Sequence, residues 1–237
     1  MKLKLTAFAA LTMLLMAGAP VAVAGPLLDY GAVANGTDNP QRPGAVVWMD
    51  LLTTDVAVAS RFYGDVFGWD VEISEGGEYA YATLDGRPLA AIVAYEDEIG
   101  AAEGLWLPSV SVSDVDRALS AVKRHGGAII EPPEDLPGRG RSMLVEDPTG
   151  AVLMLLRASG GDPAPDKQVN AWFWNELWTD DVAEATAFYE GVADYRTVAV
   201  KDSAGARYKV MGRDQTPYAS VVHSPLPNVE PTWLAYL

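Results

Sequence analysis

Ala45-Val46-Val47-Trp48-Met49-Asp50-Leu51-Leu52-Thr53-Thr54-Asp55-Val56-Ala57 returns as Ala171-Trp172-Phe173-Trp174-Asn175-Glu176-Leu177-Trp178-Thr179-Asp180-Asp181-Val182-Ala183, 126 positions later. Both copies run on into a Phe-Tyr pair, Phe62-Tyr63 and Phe188-Tyr189. An offset of one domain length marks a duplicated domain, because solenoid repeats recur every 20–50 residues or so. A second match follows, Glu103-Gly104-Leu105-Trp106-Leu107 with Glu230-Pro231-Thr232-Trp233-Leu234. The first copy continues to Ala158, whereas the second has reached Leu237 three residues after its match. The pattern predicts one whole domain, residues 44–158, and an incomplete second copy, residues 169–237.

Within the first copy one order of elements is used twice. Ala45 to Thr53 reads as a strand, and Asp55 caps a helix with Val56, Ala59, Phe62, Tyr63 and Val66 on its inner face. Gly68 ends that helix. Strands follow near 71–74, 79–84 and 89–95, with Gly76-Gly77 and Asp85-Gly86 as turns. The order restarts with a strand at 106–112. Asp114 caps a helix bearing Val115, Ala118, Leu119 and Val122, with Gly126 as its C-cap. Strands near 128–131, 142–145 and 151–157 complete the unit, the last two joined by the turn Asp147-Pro148-Thr149-Gly150. The predicted class is α+β, with paired βαβββ units forming a curved mixed sheet around a cleft.

The flanks carry other signals. Lys2 and Lys4, the apolar run from Leu5 to Ala19 and Ala22-Val23-Ala24 have the layout of an export signal over residues 1–24. The run is short for a span of about 20 apolar residues, and Pro20 follows it. The expectation is an exported protein, periplasmic or extracellular, with no membrane attachment after cleavage. Residues 25–43 and 159–168 are rich in Gly, Asp, Asn and Pro; they read as a flexible tether and an interdomain linker. The chain has no Cys, which removes disulfides, thiolate metal sites and Cys nucleophiles together. A formal net charge of −15 argues against nucleic-acid and anionic-membrane partners.

Paired units of this order, with Asp55…Phe62-Tyr63…Phe67-Gly68-Trp69 and then Asp147-Pro148-Thr149-Gly150 before a last strand, resemble the vicinal oxygen chelate superfamily of glyoxalases, bleomycin-resistance proteins and extradiol dioxygenases. The resemblance implies two units facing each other across a cleft. It also implies, in the enzymes, a divalent metal held by His and Glu or Gln from the first and last strands of each unit. Those positions fall on Trp48, on Ala91 or Ile92, on Leu107 and on Met154, and in the second copy on Trp174 and Leu234. None is a hard nitrogen or oxygen donor. The only two His residues, His125 at a helix end and His223 after a strand, have mundane explanations, and Glu96-Asp97-Glu98 reads as a solvated loop.

On the first strand Val46, Trp48, Asp50 and Leu52 share the face with the metal position. Trp48, Asp50 and Leu52, with Tyr81, Leu107 and Met154, are the candidates for lining a cleft; Trp174, Glu176 and Trp178 are their second-copy counterparts. An aromatic cleft holding one acid suits a small amphipathic or cationic molecule. The opposing interpretation makes the Trp residues core. Pro137-Gly138-Arg139-Gly140-Arg141 reads as a plain connecting loop. The sequence points to a small-molecule-binding protein with no metal and no cofactor. Two alternatives stand: a lyase or dioxygenase using a divalent metal on non-standard ligands, and a structural or partner-binding protein with filled clefts. An uncovered second copy would present Trp172, Trp174 and Trp178, and two explanations stand: the chain is a piece of a protein about fifty residues longer, or the third unit pairs with its copy in a homodimer.

Overall fold

A computed structural model describes residues 29–95, 104–165, 168–201 and 207–237. The expected export signal and the acidic run at 96–98 lie outside the described residues. The first unit is β1 (Val46–Thr53), α1 (Val56–Phe67), β2 (Asp70–Ile73), β3 (Tyr79–Leu84) and β4 (Arg87–Ala94). The second is β5 (Leu105–Ser111), α2 (Val115–Arg124), β6 (Ala128–Leu136), β7 (Gly140–Glu146) and β8 (Val152–Ala158). The third is β9 (Trp174–Thr179), α3 (Val182–Val192), β10 (Arg196–Lys201), β11 (Arg207–Arg213) and β12 (Thr216–His223), and β13 (Thr232–Tyr236) follows it.

The first two units share one eight-stranded sheet, ordered β2-β3-β4-β1-β5-β8-β7-β6. Its middle is the antiparallel pair β1–β5, flanked by the parallel pairs β1–β4 and β5–β8. The third unit repeats this pattern as β10-β11-β12-β9-β13. Leu234 lies opposite Glu176 as Leu107 lies opposite Asp50, so β13 stands to β9 as β5 stands to β1.

Each helix starts where an Asp supplies a cap, because the first N–H groups of a helix have no partner of their own. Asp55 accepts from the Val58 N–H, Asp114 from Arg117, and Asp181 from Ala183 and Glu184. Gly68 closes α1 in the left-handed conformation, at φ 71°. The second helix is capped at His125, one residue before the expected Gly126. The inner face of α1 also differs from expectation. Val56, Ala59, Tyr63 and, partly, Phe67 pack inward, while Phe62 and Val66 are 52% and 55% exposed. The buried stripe runs i, i+3, i+7, i+11, as a 3.6-residue period requires; Val56, Ala59 and Tyr63 lie on it as expected, and Phe62 and Val66 each fall one position before a residue that does.

Helices α2 and α3 lie between two sheets. Val110, Val122, Met143, Val145, Leu153 and Leu155 of the second unit form one apolar cluster with Leu177, Phe188, Tyr189, Met211, Val221 and Trp233 around the third. Buried Asp147 joins the two, accepting the Tyr189 hydroxyl at 2.9 Å and the Thr149, Gly150 and Ala151 N–H groups. Trp172 does not lie on the open sheet face where an uncovered second copy would place it. It packs on Trp69 and Trp106 of the first unit, and its indole N–H donates to the Leu89 carbonyl. The short connection between copies is held as well. Asp162 is fully buried and accepts from the Ser111 hydroxyl and the Arg42 N–H.

Residues 29–43, expected as a free tether, form a strap across the first domain. Val33 is 1% exposed, Asn39 donates to the Gly160 carbonyl from both its backbone N–H and its side-chain amide, and the Tyr195 hydroxyl of the third unit donates to the Gly44 carbonyl. The tether reading counted turn-forming residues, but the same residues let this backbone bend closely over a folded surface.

Because one cluster spans both copies, the described chain should melt as one unit. Phe188→Ala is expected to cost about 3–5 kcal/mol and to lower a single urea transition. Two separate transitions in the unsubstituted protein would contradict the shared core.

Candidate functional site

The strand register brings the candidate residues together. Asp50 lies opposite Ala91 on one side and Leu107 on the other, and Ser109 lies opposite Met154. Trp48, Leu52, Leu107 and Met154 share one buried cluster with Tyr81 packed against it. These side chains do not line an open cavity in this state. Trp48, Asp50 and Met154 are each 2% exposed and Leu107 fully buried, because Tyr30 and Val33 of the strap sit on top of them.

Arg139 is the centre of this arrangement, contrary to the reading of its loop as a plain connection. It is 1% exposed and forms an ion pair with Asp50 at 3.3 Å. Its guanidinium carbon lies 4.4 Å from the centre of the Trp48 ring, a cation–π distance. The Trp48 indole N–H donates to Asp50 Oδ1 at 2.9 Å, and Trp48 stacks on Tyr81. The remaining donors meet the strap: Arg139 Nη2 bonds the Tyr30 carbonyl at 2.7 Å and Nε bonds the Gly31 carbonyl at 3.1 Å. The Tyr79 hydroxyl accepts from Arg139 at 3.0 Å and donates to the Tyr30 carbonyl at 2.6 Å; the Tyr81 hydroxyl donates to the Ala32 carbonyl. Three successive carbonyls are thus held by three side chains.

Two glycines permit this contact. At Gly31, φ is +69° and a Cβ would fall 2.4 Å from a Tyr81 ring carbon; at Gly138, φ is +77° and a Cβ would fall 1.8 Å from Asp29 Oδ1. The signal in the sequence was the Gly-Arg-Gly triplet, whose flanking glycines let the arginine turn inward. Tyr30 and Tyr79 carried no such signal.

Burial pushes the Tyr79 hydroxyl far above its usual range, so it stays a proton donor. Glu131 on β6 has one carboxyl oxygen buried without a partner, and burial, with Glu134 nearby, raises its pKa to about 7. Tyr30 feels the charges of both glutamates.

In the second copy, Trp174, Glu176 and Trp178 are half-buried on an open sheet face. Glu176 accepts from the Trp178 indole, the Ser220 hydroxyl and the Tyr236 hydroxyl. A groove of about 520 Å³ lies elsewhere, between α2 and the end of α3, where Arg117, Arg124 and Arg213 meet Asp114 and Asp194.

The donor set does not fit a divalent metal in the first cleft. Trp48, Ala91, Leu107 and Met154 offer no nitrogen or oxygen ligand, and Asp50 is a lone carboxylate already paired with Arg139 and bonded by Trp48. Among the described residues no three His, Asp or Glu side chains cluster as a metal site would require.

Residues 45–155 match the family described as the Glyoxalase/Bleomycin resistance protein/Dioxygenase superfamily. A putative glyoxylase CFP32 of Mycobacterium tuberculosis is 34% identical over 203 residues, 82% of this chain and 77% of that protein. The anthracycline biosynthesis protein DauV of Streptomyces sp. (strain C5) is 32% identical over 164 residues, 62% of this chain and 59% of that protein. The fold is similar to that of the Mn(II)-bound glyoxalase from Novosphingobium aromaticivorans, with TM-score 0.58 at 13% identity. That match covers 77% of this chain, which spans 63% of the glyoxalase's length.

Arg139→Met should leave Asp50 buried and unpaired, costing about 3–5 kcal/mol in denaturant titrations. Glu131 sets a pH dependence of its own. The folded chain holds its proton to higher pH than the unfolded chain, so stability should fall as pH rises from about 4.5 to about 7. Glu131→Gln should flatten that slope; an unchanged slope would assign it to other groups.

Proposed function

Since the chain belongs to the glyoxalase/bleomycin resistance protein/dioxygenase superfamily and offers no metal ligands at the inferred positions, we propose that it is an exported, metal-free small-molecule-binding member. The ligand occupies the first cleft in place of residues 30–33. One observation carries this reading: Arg139, Tyr79 and Tyr81 each give a hydrogen bond to a strap carbonyl. A molecule with neighbouring carbonyl or carboxylate oxygens presents the same acceptors, and a carboxylate forms the stronger, charge-assisted bonds to a guanidinium. The strap then acts as an internal competitor whose effective concentration the ligand must overcome. The apolar run after Lys4 and the acidic composition support a place outside the cell. Catalysis is no part of this reading, since Asp50 is committed to Arg139 and, among the described residues, no second acid–base side chain bonds to it.

A competing interpretation, a permanently filled cleft, draws on the near-complete burial of Trp48, Asp50 and Arg139. Gly31→Ala separates the two. It loosens the strap by driving a methyl group against the Tyr81 ring, and it leaves the Arg139 and Tyr79 donors unaltered. Calorimetric titration with 2-oxoglutarate, a small acid with adjacent oxygen acceptors, should show binding about tenfold tighter or more in the variant. Hydrogen exchange at residues 30–33 should rise in parallel. Exchange that rises with no gain in binding would support the permanently filled cleft.

A further inference from the structure

The strap that seals the first cleft lies beside an acid that has no partner. Glu131 on β6 pairs across the sheet with Leu144, and the row continues through Met154, Ser109 and Trp48. Side chains in one such row share a face, so Glu131 stands on the wall of the cleft that holds Trp48 and Met154. Glu134 is on the same face, because its partner Ser142 pairs in turn with Leu156 of the cleft cluster. The strap crosses at this point. The Tyr30 N–H donates to the Pro137 carbonyl at 2.9 Å, just past the end of β6, and Tyr30 shares one apolar cluster with Ile130 and Leu136. One carboxyl oxygen of Glu131 is buried there with nothing bonded to it.

The groups around Glu131 do nothing to offset its ionisation. Glu134 on the same strand adds a second negative charge, and the strap presents the Tyr30 hydroxyl. The edge strand β6 is flanked by β7 alone, which presents uncharged Leu144 and Ser142 on this face; its Arg141 pairs with Asp116 of α2 and with Asp135. Arg139, in the loop after β6, is committed to Asp50 and to the strap carbonyls. Among the described residues no cation pairs with Glu131. A carboxylate in such a setting is costly and a neutral carboxylic acid much less so. Burial, with Glu134, accordingly lets the group keep its proton up to about 7. With the strap lifted, water reaches the carboxyl and its pKa returns toward the ordinary value. The closed state therefore binds the proton more tightly than the open state. Closure has its full support below about 4.5 and loses it as pH rises to about 7.

We propose that Glu131 is a proton-dependent latch for the strap: protonated, it lets residues 30–33 lie over the first cleft, and ionised, it expels them, so that the cleft opens between mildly acidic and neutral pH. The latch is a property of the chain alone, whereas its use in admitting a small molecule rests on the ligand reading of this cleft.

Amide hydrogen exchange of the full chain without ligand, expressed at each pH as protection relative to the unprotected rate at that pH, measures the opening. The Tyr30 amide reports the strap, and the amides of β5 report global unfolding. Tyr30 should be less protected than β5 at every pH, and its protection should fall about tenfold or more between pH 5 and pH 8. Glu131→Gln should hold it level, and Glu134→Gln should shrink the fall. Equal protection of Tyr30 and β5 in the unsubstituted protein would mean that the strap leaves only on unfolding. Level protection of Tyr30 from pH 5 to pH 8, or an undiminished fall in Glu131→Gln, would likewise overturn the latch. If protection falls as expected while 2-oxoglutarate does not bind even to Gly31→Ala, the latch stands and the ligand reading fails; binding with level protection is the opposite result.

Discussion

The ion pair of Asp50 and Arg139 organises the first domain. Two charges withdrawn from water carry a desolvation penalty of several kcal/mol each, which is met only when both are fully bonded. Here they are. Asp50 takes the guanidinium and the Trp48 indole, and Arg139 spends its remaining donors on Tyr79 and on the carbonyls of Tyr30 and Gly31. The pair therefore ties together β1, β3, the loop between β6 and β7, and a strap that lies more than a hundred residues from that loop in sequence. Removing the strap would leave a guanidinium with orphaned donors in an apolar cleft. The close approaches at Gly31 and Gly138 follow from the same requirement.

A second constraint concerns where the third unit can go. Its helix side is apolar, and so is that of the second unit, and burying the two against each other makes a layer of helices between two sheets. Asp147 sits at that junction with its carboxyl bonded on all sides. Burial raises its pKa in spite of the hydrogen bonds from Thr149 and Tyr189. The consequence for function is geometric. With its helix side committed, the third unit keeps Trp174, Glu176 and Trp178 half-buried on its other face, whereas the matching face of the first unit is sealed by the strap. Matching strands of the two copies thus differ in burial: Trp48 and Asp50 are sealed, and Trp174 and Glu176 are half-buried.

Most of the fold was legible because it depends on local chemistry. Asp55, Asp114 and Asp181 cap helices through bonds to residues two or three positions away, and alternation assigns the faces of β9 and of β1 from Trp48 on, while a bulge between Val46 and Trp48 turns Val46 to the helix-side core instead of the expected face. The limits were equally physical. The inner face of α1 was misread at Phe62 and Val66, since an apolar residue on a short helix carries no mark of what stands opposite it. Arg139 looked like a loop residue because nothing within ten positions reveals a carboxylate on a strand 89 residues away.

What the sequence determined by itself was the duplication, the order of elements, the candidate residues on one face of β1 and the want of metal donors at the family's positions. These follow from residue identity and period. Only the tertiary structure decided that the strap enters the first cleft, that Arg139 neutralises Asp50, and that the third unit packs by its helices and leaves Glu176 open. The strap, the Asp50–Arg139 pair and the helix-side packing are each a contact between segments far apart in the chain. Their pairing is selected by complementary shape and by the cost of leaving a buried polar group unpaired, and neither is written in a local pattern.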